Sequence, residues 1–283
     1  MPRPSPTVRR RRLASLMRNF REEARKSREE AARHAGIAPI TISRIETARH
    51  GPKAADILTL ARFYGLDDER AEALATLARE SRVKGWWQRY GTAIPDWFEV
   101  YVGLEEEVSE LRSYQVSVIL GLLQTERYMR ALIADESGVS PEEADCRVAL
   151  RLERQDRLTR HDGLRLWLVL DESSLRRIVG GPEVMREQFE HLLAMTSLPQ
   201  VMVQVLPFAA GAHPGMDGAF DILTFPDPAD AEVVYLQYRM GSVYLEESRF
   251  IREYAGLFDR LRAKALDPDD SRALIEQIAG TLR

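Results

Sequence analysis

The stretch SREEAARHAGIAPITISRIETARHGP, residues 27–52, leaves the chain few ways to fold locally. Ser27 followed by Glu30 is a capping-box pattern that opens a helix over Arg28 to His34. Its inward face carries only Ala31, Ala32 and Ala35, so a neighbouring helix can approach closely. Gly36 then supplies a turn at positive φ. Pro39 suits the first position of the next helix, where its missing N–H costs nothing. Ala38 before it is a weak N-cap, which predicts a frayed start. Ile42 and Ile45, with Ile37 ahead of them, form the inward face. Pro39, Ile40, Thr41, Ser43 and Arg44 are left outward or lateral, and His50-Gly51-Pro52 is expected to end the helix.

The flanks extend this to five helices. Leu13, Leu16, Met17, Phe20 and Ala24 recur at helical spacing and make one apolar stripe on a first helix. Ala54 to Tyr64 reads as a fourth, with Ile57, Leu58 and Ala61 inward and Gly65 as its stop. Asp67 or Asp68 caps a fifth.

Charge divides the chain at the same place. Residues 1–66 hold 15 Lys and Arg against 6 Asp and Glu, whereas the whole chain is at −4. A basic head on an acidic remainder points to a polyanionic partner met locally. The single cysteine, Cys146, excludes an internal disulfide framework and a multi-thiolate zinc site, and fits a reducing cytosol. No apolar run is long enough to span a membrane, and the basic N-terminus has no apolar core behind it. These features predict a cytoplasmic, nucleoid-associated protein with no membrane partner.

Taken together, the capped small-residue helix, glycine turn and polar-faced helix resemble the helix-turn-helix core of Xre/Cro-type bacterial repressors. The matching residues are Ala32, Gly36, Ile37, Ala38, Ile42, Ser43 and Glu46, within a likeness over residues 13–79. The resemblance implies double-stranded DNA as partner and a homodimer reading two half-sites ~34 Å apart or a multiple of that. It places Pro39, Ile40 and Arg44 where bases are read, with Ser43 on the same DNA-facing helix. Arg28 and Thr41 fall at phosphate-contacting positions, and Arg21 pairs with Glu46. Arg44 suits guanine, and Ile40 suits a thymine methyl. Two departures stand out: Pro39 where Gln is common, and Ala24-Arg25-Lys26-Ser27 where a glycine-containing link is usual. Arg9 to Arg12 read either as an arm tracking phosphates or a minor groove, or as the frayed start of the first helix.

From residue 85 the pattern changes. Three of the four tryptophans, Trp86, Trp87 and Trp97, fall within twelve residues, marking an inter-domain hinge and core. Beyond them helices and strands mix. Helices are expected over PDWFEVYVGLEEEV, after Thr125, and after Ser140-Pro141. A two-helix stretch over Glu172 to Met195 and terminal helices near Ser248–Ala265 and Ser271–Leu282 follow. Strands are expected in LRSYQVSVIL, LRLWLVL, PQVMVQVLPF, GAFDILTF and EVVYLQY, the last two as a hairpin. The fold class is α+β overall: an all-α five-helix domain over 1–82, then a mixed α/β domain over 83–283.

GLLQTERYMRALI, RLERQDRL, LVLDESSLRRIVGG, VLPFAAGAHPG and AFDILTF are together similar to the C-terminal domain of a large actinobacterial regulator family with antitoxin-like members. Leu120 stands where a proline commonly precedes GLLQT. The resemblance implies a possible small partner protein and leaves the domain's chemistry open.

Catalysis finds little support. A hydrolase site would draw on Ser173 or Ser174, His213, and Asp171 or Asp217, but no G-x-S-x-G elbow, H-E-x-x-H or phosphate-binding glycine motif is present. Gly180-Gly181 reads as a helix stop and turn, with an anion site at the following helix as the alternative. His213 reads as a surface histidine in a glycine-rich loop, with ligand contact as its alternative. His34, His50, His161 and His191 share no metal-ligand spacing. Arg147, Arg151, Arg154 and Arg157 line one helix side, expected as a solvated face. The chain is therefore expected to be no enzyme and to carry no cofactor or metal. It reads as a transcriptional regulator whose C-terminal domain senses a ligand, with Trp86, Trp87 and Trp97 near a pocket, or binds a partner. The alternative is an antitoxin-like protein that sequesters a small partner and autoregulates its operon.

Overall fold

The structure, a computed structural model, describes residues 5–160, 163–228 and 230–282. They form two compact units that divide between Gln88 and Arg89.

The N-terminal unit is built from α1 (Pro6–Glu23), α2 (Arg28–Ala35), α3 (Pro39–Glu46), α4 (Ala54–Phe63) and α5 (Asp68–Glu80). Local chemistry accounts for several of the boundaries, although α3 and α4 start without a side-chain cap. The Ser5 hydroxyl accepts from Thr7 N at the start of α1, and Asp67 accepts from Arg70 N at the start of α5. Ser27 and Glu30 complete the reciprocal capping box of α2. Gly36 lies at φ 66° and Gly65 at φ 89°, closing α2 and α4. The glycine-free link between α1 and α2 places Arg25 itself at φ 54°, a conformation that disfavours non-glycine residues. Leu13 and Met17 of α1 meet Ala31 and Ala32 of α2, Ile42 and Ile45 of α3, and Ile57, Leu60 and Ala61 of α4 in one core.

The C-terminal unit centres on a six-stranded sheet in the order β3-β2-β1-β4-β5-β6. β1 (Glu110–Gln115), β2 (Arg165–Asp171) and β3 (Val201–Leu206) are mutually parallel. β4 (Phe220–Thr224), β5 (Val233–Tyr238) and β6 (Gly241–Leu245) continue the sheet antiparallel. The sheet is mixed, and the whole chain is α+β. The helices are α6 (Asp96–Glu105), α7 (Glu126–Ala134), α8 (Pro141–Thr159), α9 (Glu172–Arg176), α10 (Pro182–Met195), α11 (Ser248–Lys264) and α12 (Pro268–Gly280).

Several sequence expectations need correction here. β6 was not foreseen, because Arg239-Met240 makes its two-residue hairpin turn without the glycine or asparagine that marks such turns. α12 starts at Pro268, since Asp267 caps it by accepting from Asp270 N. Ser271 lies inside that helix and accepts a hydrogen bond from Val205 N of β3. α3 ends at Glu46, four residues before His50-Gly51-Pro52: Ala48 adopts φ 56°, and Arg49 N donates back to Arg44 O. Gly181 stands at the N-cap of α10, and α9 has already ended at Arg176, so the glycine pair does not cap α9.

Candidate nucleic-acid interface

α2, the Gly36 turn and α3 place one helix's polar face outward over an alanine floor. Ile37 N returns to Ala32 O across the turn, fixing the path into Pro39. Ile42 and Ile45 are buried to within 2% exposure, which sets the rotation of α3 about its axis. That rotation leaves Pro39, Ile40 and Arg44 exposed, with Thr41 and Ser43 half-buried. Pro39 and Ile40 stand one turn before Ser43 and Arg44, so these four share a face and Thr41 lies on its flank. Ile40 is 56% exposed, a large apolar side chain presented to solvent.

Glu46, at the last turn of α3, holds the arrangement together. Its carboxylate, 1% exposed, accepts from Arg21 Nε at 2.5 Å, from Arg21 Nη2 at 3.1 Å and from Arg28 Nε at 2.8 Å. Arg21 also donates to Lys26 O, tying the strained α1–α2 link to the same group. The hydrogen bonds that Arg21 donates to Glu46 raise the Arg21 pKa. Burial pushes the nearby Tyr64 phenol up to about 12, with the Glu46 charge contributing. One buried carboxylate thus joins α1, α2 and α3. The second guanidinium escaped sequence reasoning, because Arg28 and Glu46 are 18 residues apart and meet only once α2 and α3 have packed. Arg28 remains 43% exposed, so its position at the start of α2 is fixed by Glu46 while part of its surface stays open.

Arg9 to Arg12 are not an extended arm. They lie within α1, where Arg9 meets Glu80 at 3.3 Å and Arg10 donates to Ser81 O.

Residues 12–74 match the helix-turn-helix domain family, and residues 98–277 match the family described as Domain of unknown function (DUF5753). The second match spans more than half of the 283-residue chain. The chain belongs to the DUF5753 family. The helix-turn-helix match supports a DNA-binding regulator. No curated protein and no solved structure matches the chain. Among the described residues, no helix is long and apolar enough to cross a membrane.

Within the DUF5753 domain, Ser173, Asp171 and His213 do come together, but in an order unlike a nucleophile–base–orienter relay. The Asp171 carboxylate stands in the middle: Ser173 Oγ donates to its Oδ1, and His213 Nε2 lies 3.7 Å from its Oδ2. The same carboxylate caps α9 through Ser173 N, and Ser174 Oγ donates to Asp171 O. His213 Nδ1 accepts from Gly215 N. The serine is therefore hydrogen-bonded to the acid, not to an imidazole base. Asp217 is exposed. The expectation of a plain surface histidine is corrected, since the His213 side chain is 12% exposed and packs edge-on to Tyr114. Among the described residues, no three His, Cys, Asp or Glu side chains are grouped to hold a metal ion. His161 lies outside the described residues.

The arginine side of α8 is the largest correction. Arg154 and Arg157 are buried, at 5% and 1% exposure, where a solvated face was expected. Arg154 forms a two-pronged pair with Glu105 at 2.6 and 2.8 Å, and Arg157 donates to Val108 O. Desolvation works against the Arg154 guanidinium, but the Glu105 charge and hydrogen bonds outweigh it and raise its pKa. Arg147 pairs with Glu136 and Glu143. Arg147, Arg151 and Arg154 line a cavity of about 640 Å³ together with Trp97. Trp86 and Trp87 are not part of its lining.

Proposed function

We propose that this chain is a sequence-specific transcriptional regulator of Xre/Cro type. In this reading it acts as a cytoplasmic, nucleoid-associated homodimer, places α3 in the major groove, and senses a ligand through its DUF5753 domain. The observation that carries the proposal is the α3 surface. Buried Ile42 and Ile45 turn Pro39, Ile40, Ser43 and Arg44 outward, while Arg28, held by Glu46, stands at the start of α2. In this reading Arg44 hydrogen-bonds guanine O6 and N7, Ile40 meets a thymine methyl, and Arg28 and Thr41 contact phosphates. No catalytic role is assigned, because the Ser173 hydroxyl beside Asp171 and His213 is hydrogen-bonded to the carboxylate and not to the imidazole.

Fluorescence anisotropy on the DNA upstream of its own gene, against scrambled DNA, tests this. Wild type should prefer the upstream DNA, with affinity falling steeply as salt rises. Arg44→Ala should lose ~1–3 kcal/mol of that preference. Equal binding of both DNAs by both proteins, or a salt slope near zero, overturns the reading. A second reading is an antitoxin-like protein that captures a small partner and autoregulates. Tyr238, Met240 and Val243, apolar residues exposed around the β5–β6 turn, favour it. There Arg44→Ala leaves partner capture intact.

A further inference from the structure

The cavity in the C-terminal unit is chemically two-sided. One wall is aromatic. Phe98 stacks on Tyr101 with centroids 5.6 Å apart, Tyr101 packs against Tyr235 at 4.3 Å, and Trp97 stands edge-on to Phe98. The other carries the α8 arginines. Its volume of about 640 Å³ falls in the range of small-molecule sites.

The three arginines differ in how they are compensated. Arg154 is fully engaged by Glu105, and its guanidinium also covers the rings of Phe98 and Tyr101 at 5.0 and 5.5 Å. Arg147 is bracketed by Glu136 and Glu143. Arg151 has no carboxylate within ion-pair distance among the described residues, and its Nη1 is buried with no hydrogen-bond partner there. Arg147 Nε and Gln124 Oε1 are likewise buried and unpartnered. Both of those residues also line the cavity. Buried polar atoms without partners are few in native proteins, so the two guanidinium donors, Arg151 Nη1 and Arg147 Nε, mark a place where a ligand's acceptor oxygens belong. The surrounding charges agree. Desolvation first, then the neighbouring Arg154, brings the Arg151 pKa down to about 10, with Glu136 opposing the trend and Arg147 adding to it, and the guanidinium is still charged at neutral pH.

We propose that this cavity binds a planar aromatic carboxylate, with its ring against the Trp97–Phe98–Tyr235 wall and its carboxylate paired to Arg151. A carboxylate matches the planar fork of one guanidinium. A phosphate dianion would call on a second buried cation; Arg147 and Arg154 are already matched by Glu136, Glu143 and Glu105, and Arg239, the fourth arginine of the lining, is exposed. The inference rests on the ligand-sensing reading above and names the ligand class for it.

The test uses the full chain. Calorimetric titration with benzoate, 2-naphthoate and 9-anthracenecarboxylate is compared with the three corresponding amides and with inorganic phosphate. At least one acid should bind one-to-one and saturably, at least ten-fold tighter than its amide. Arg151→Met should weaken that acid at least ten-fold, leave the amide unchanged, and keep a thermal midpoint no lower than wild type. Leu132→Trp fills the cavity from α7 without changing charge, and should abolish binding of both. If no acid binds more tightly than its amide, if Arg151→Met binds the acid like wild type, or if phosphate binds more tightly than every acid, the proposal fails. Anisotropy on upstream DNA with and without the acid separates the two readings. Acid binding without any change in DNA affinity upholds the cavity and removes sensing. DNA binding in a protein that binds no acid leaves the regulator and removes this inference.

Discussion

The two units bury arginine in opposite ways. In the helix-turn-helix unit, one carboxylate serves two guanidiniums: Glu46 takes Arg21 and Arg28, and both lie where three helices must meet. In the DUF5753 unit, the arginines along α8 are matched to separate carboxylates, Glu105 for Arg154 and Glu136 with Glu143 for Arg147, and Arg151 is matched to none among the described residues. Removing one partner of a buried pair leaves an uncompensated charge, which is costlier than the pair is worth. The first arrangement is therefore a clamp that fixes α3. The second is a clamp at Arg154 with a charged group left over at its side, which is what a ligand site needs and a structural core does not.

Glu105→Ala should be the most damaging change. It strands Arg154, whose side chain is 6% exposed, and should lower unfolding free energy in urea by ~3–5 kcal/mol. A loss below ~1 kcal/mol would show that Arg154 finds water, and the contrast between the units would weaken.

Glu46→Ala comes next, at ~3 kcal/mol, because Arg28 is already 43% exposed and only Arg21 is left buried. Its distinctive signature is in DNA binding. Both α2 and α3 lose their common anchor, so upstream-DNA preference should fall even at temperatures where the variant is fully folded. A folded Glu46→Ala protein that discriminates DNA like wild type would make the clamp purely structural.

Asp221 gives a pH test of the C-terminal unit. It accepts from Tyr101 and Ser113, yet desolvation dominates those hydrogen bonds and raises its pKa to about 6. An unfolded aspartate titrates at ~3.9, so between there and about pH 6 the folded state holds the extra proton. Its stabilising contribution is complete below the unfolded value and is lost as pH rises through the folded one. The slope approaches ~1.4 kcal/mol per pH unit within that window. Asp221→Asn should flatten that part of the stability–pH curve, as urea melts from pH 4 to pH 7 would show. An unchanged curve would mean that the carboxylate is better solvated than its burial implies.

The smallest effect is expected from Arg151→Met, which removes a desolvated cation and should raise ligand-free stability by ~1 kcal/mol. If it destabilises instead, Arg151 is part of the clamp and the comparison loses its leftover charge.

Local chemistry made much of this architecture legible. The capping box of Ser27 and Glu30, the positive φ of Gly36, and the caps at Thr125 and Ser140 were all read from neighbours in sequence, because their donors and acceptors lie within three residues. The β4–β5 hairpin followed from alternating apolar runs; Ala229 in its loop lies outside the described residues. β6 was missed because its turn lacks turn residues, and the true end of α3 because Ala48 takes a conformation its side chain disfavours.

What the amino-acid order determined by itself was which segments become helices, which become strands apart from β6, and which face of α3 turns outward, since periodicity and capping act over a few residues. Which arginines are buried was decided only in three dimensions. Along α8 the four read as one solvated side, yet Glu105, 49 residues from Arg154, and the carbonyl of Val108, 49 residues from Arg157, draw two of them inside. A guanidinium's partner is chosen by packing, and sequence spacing carries no record of it.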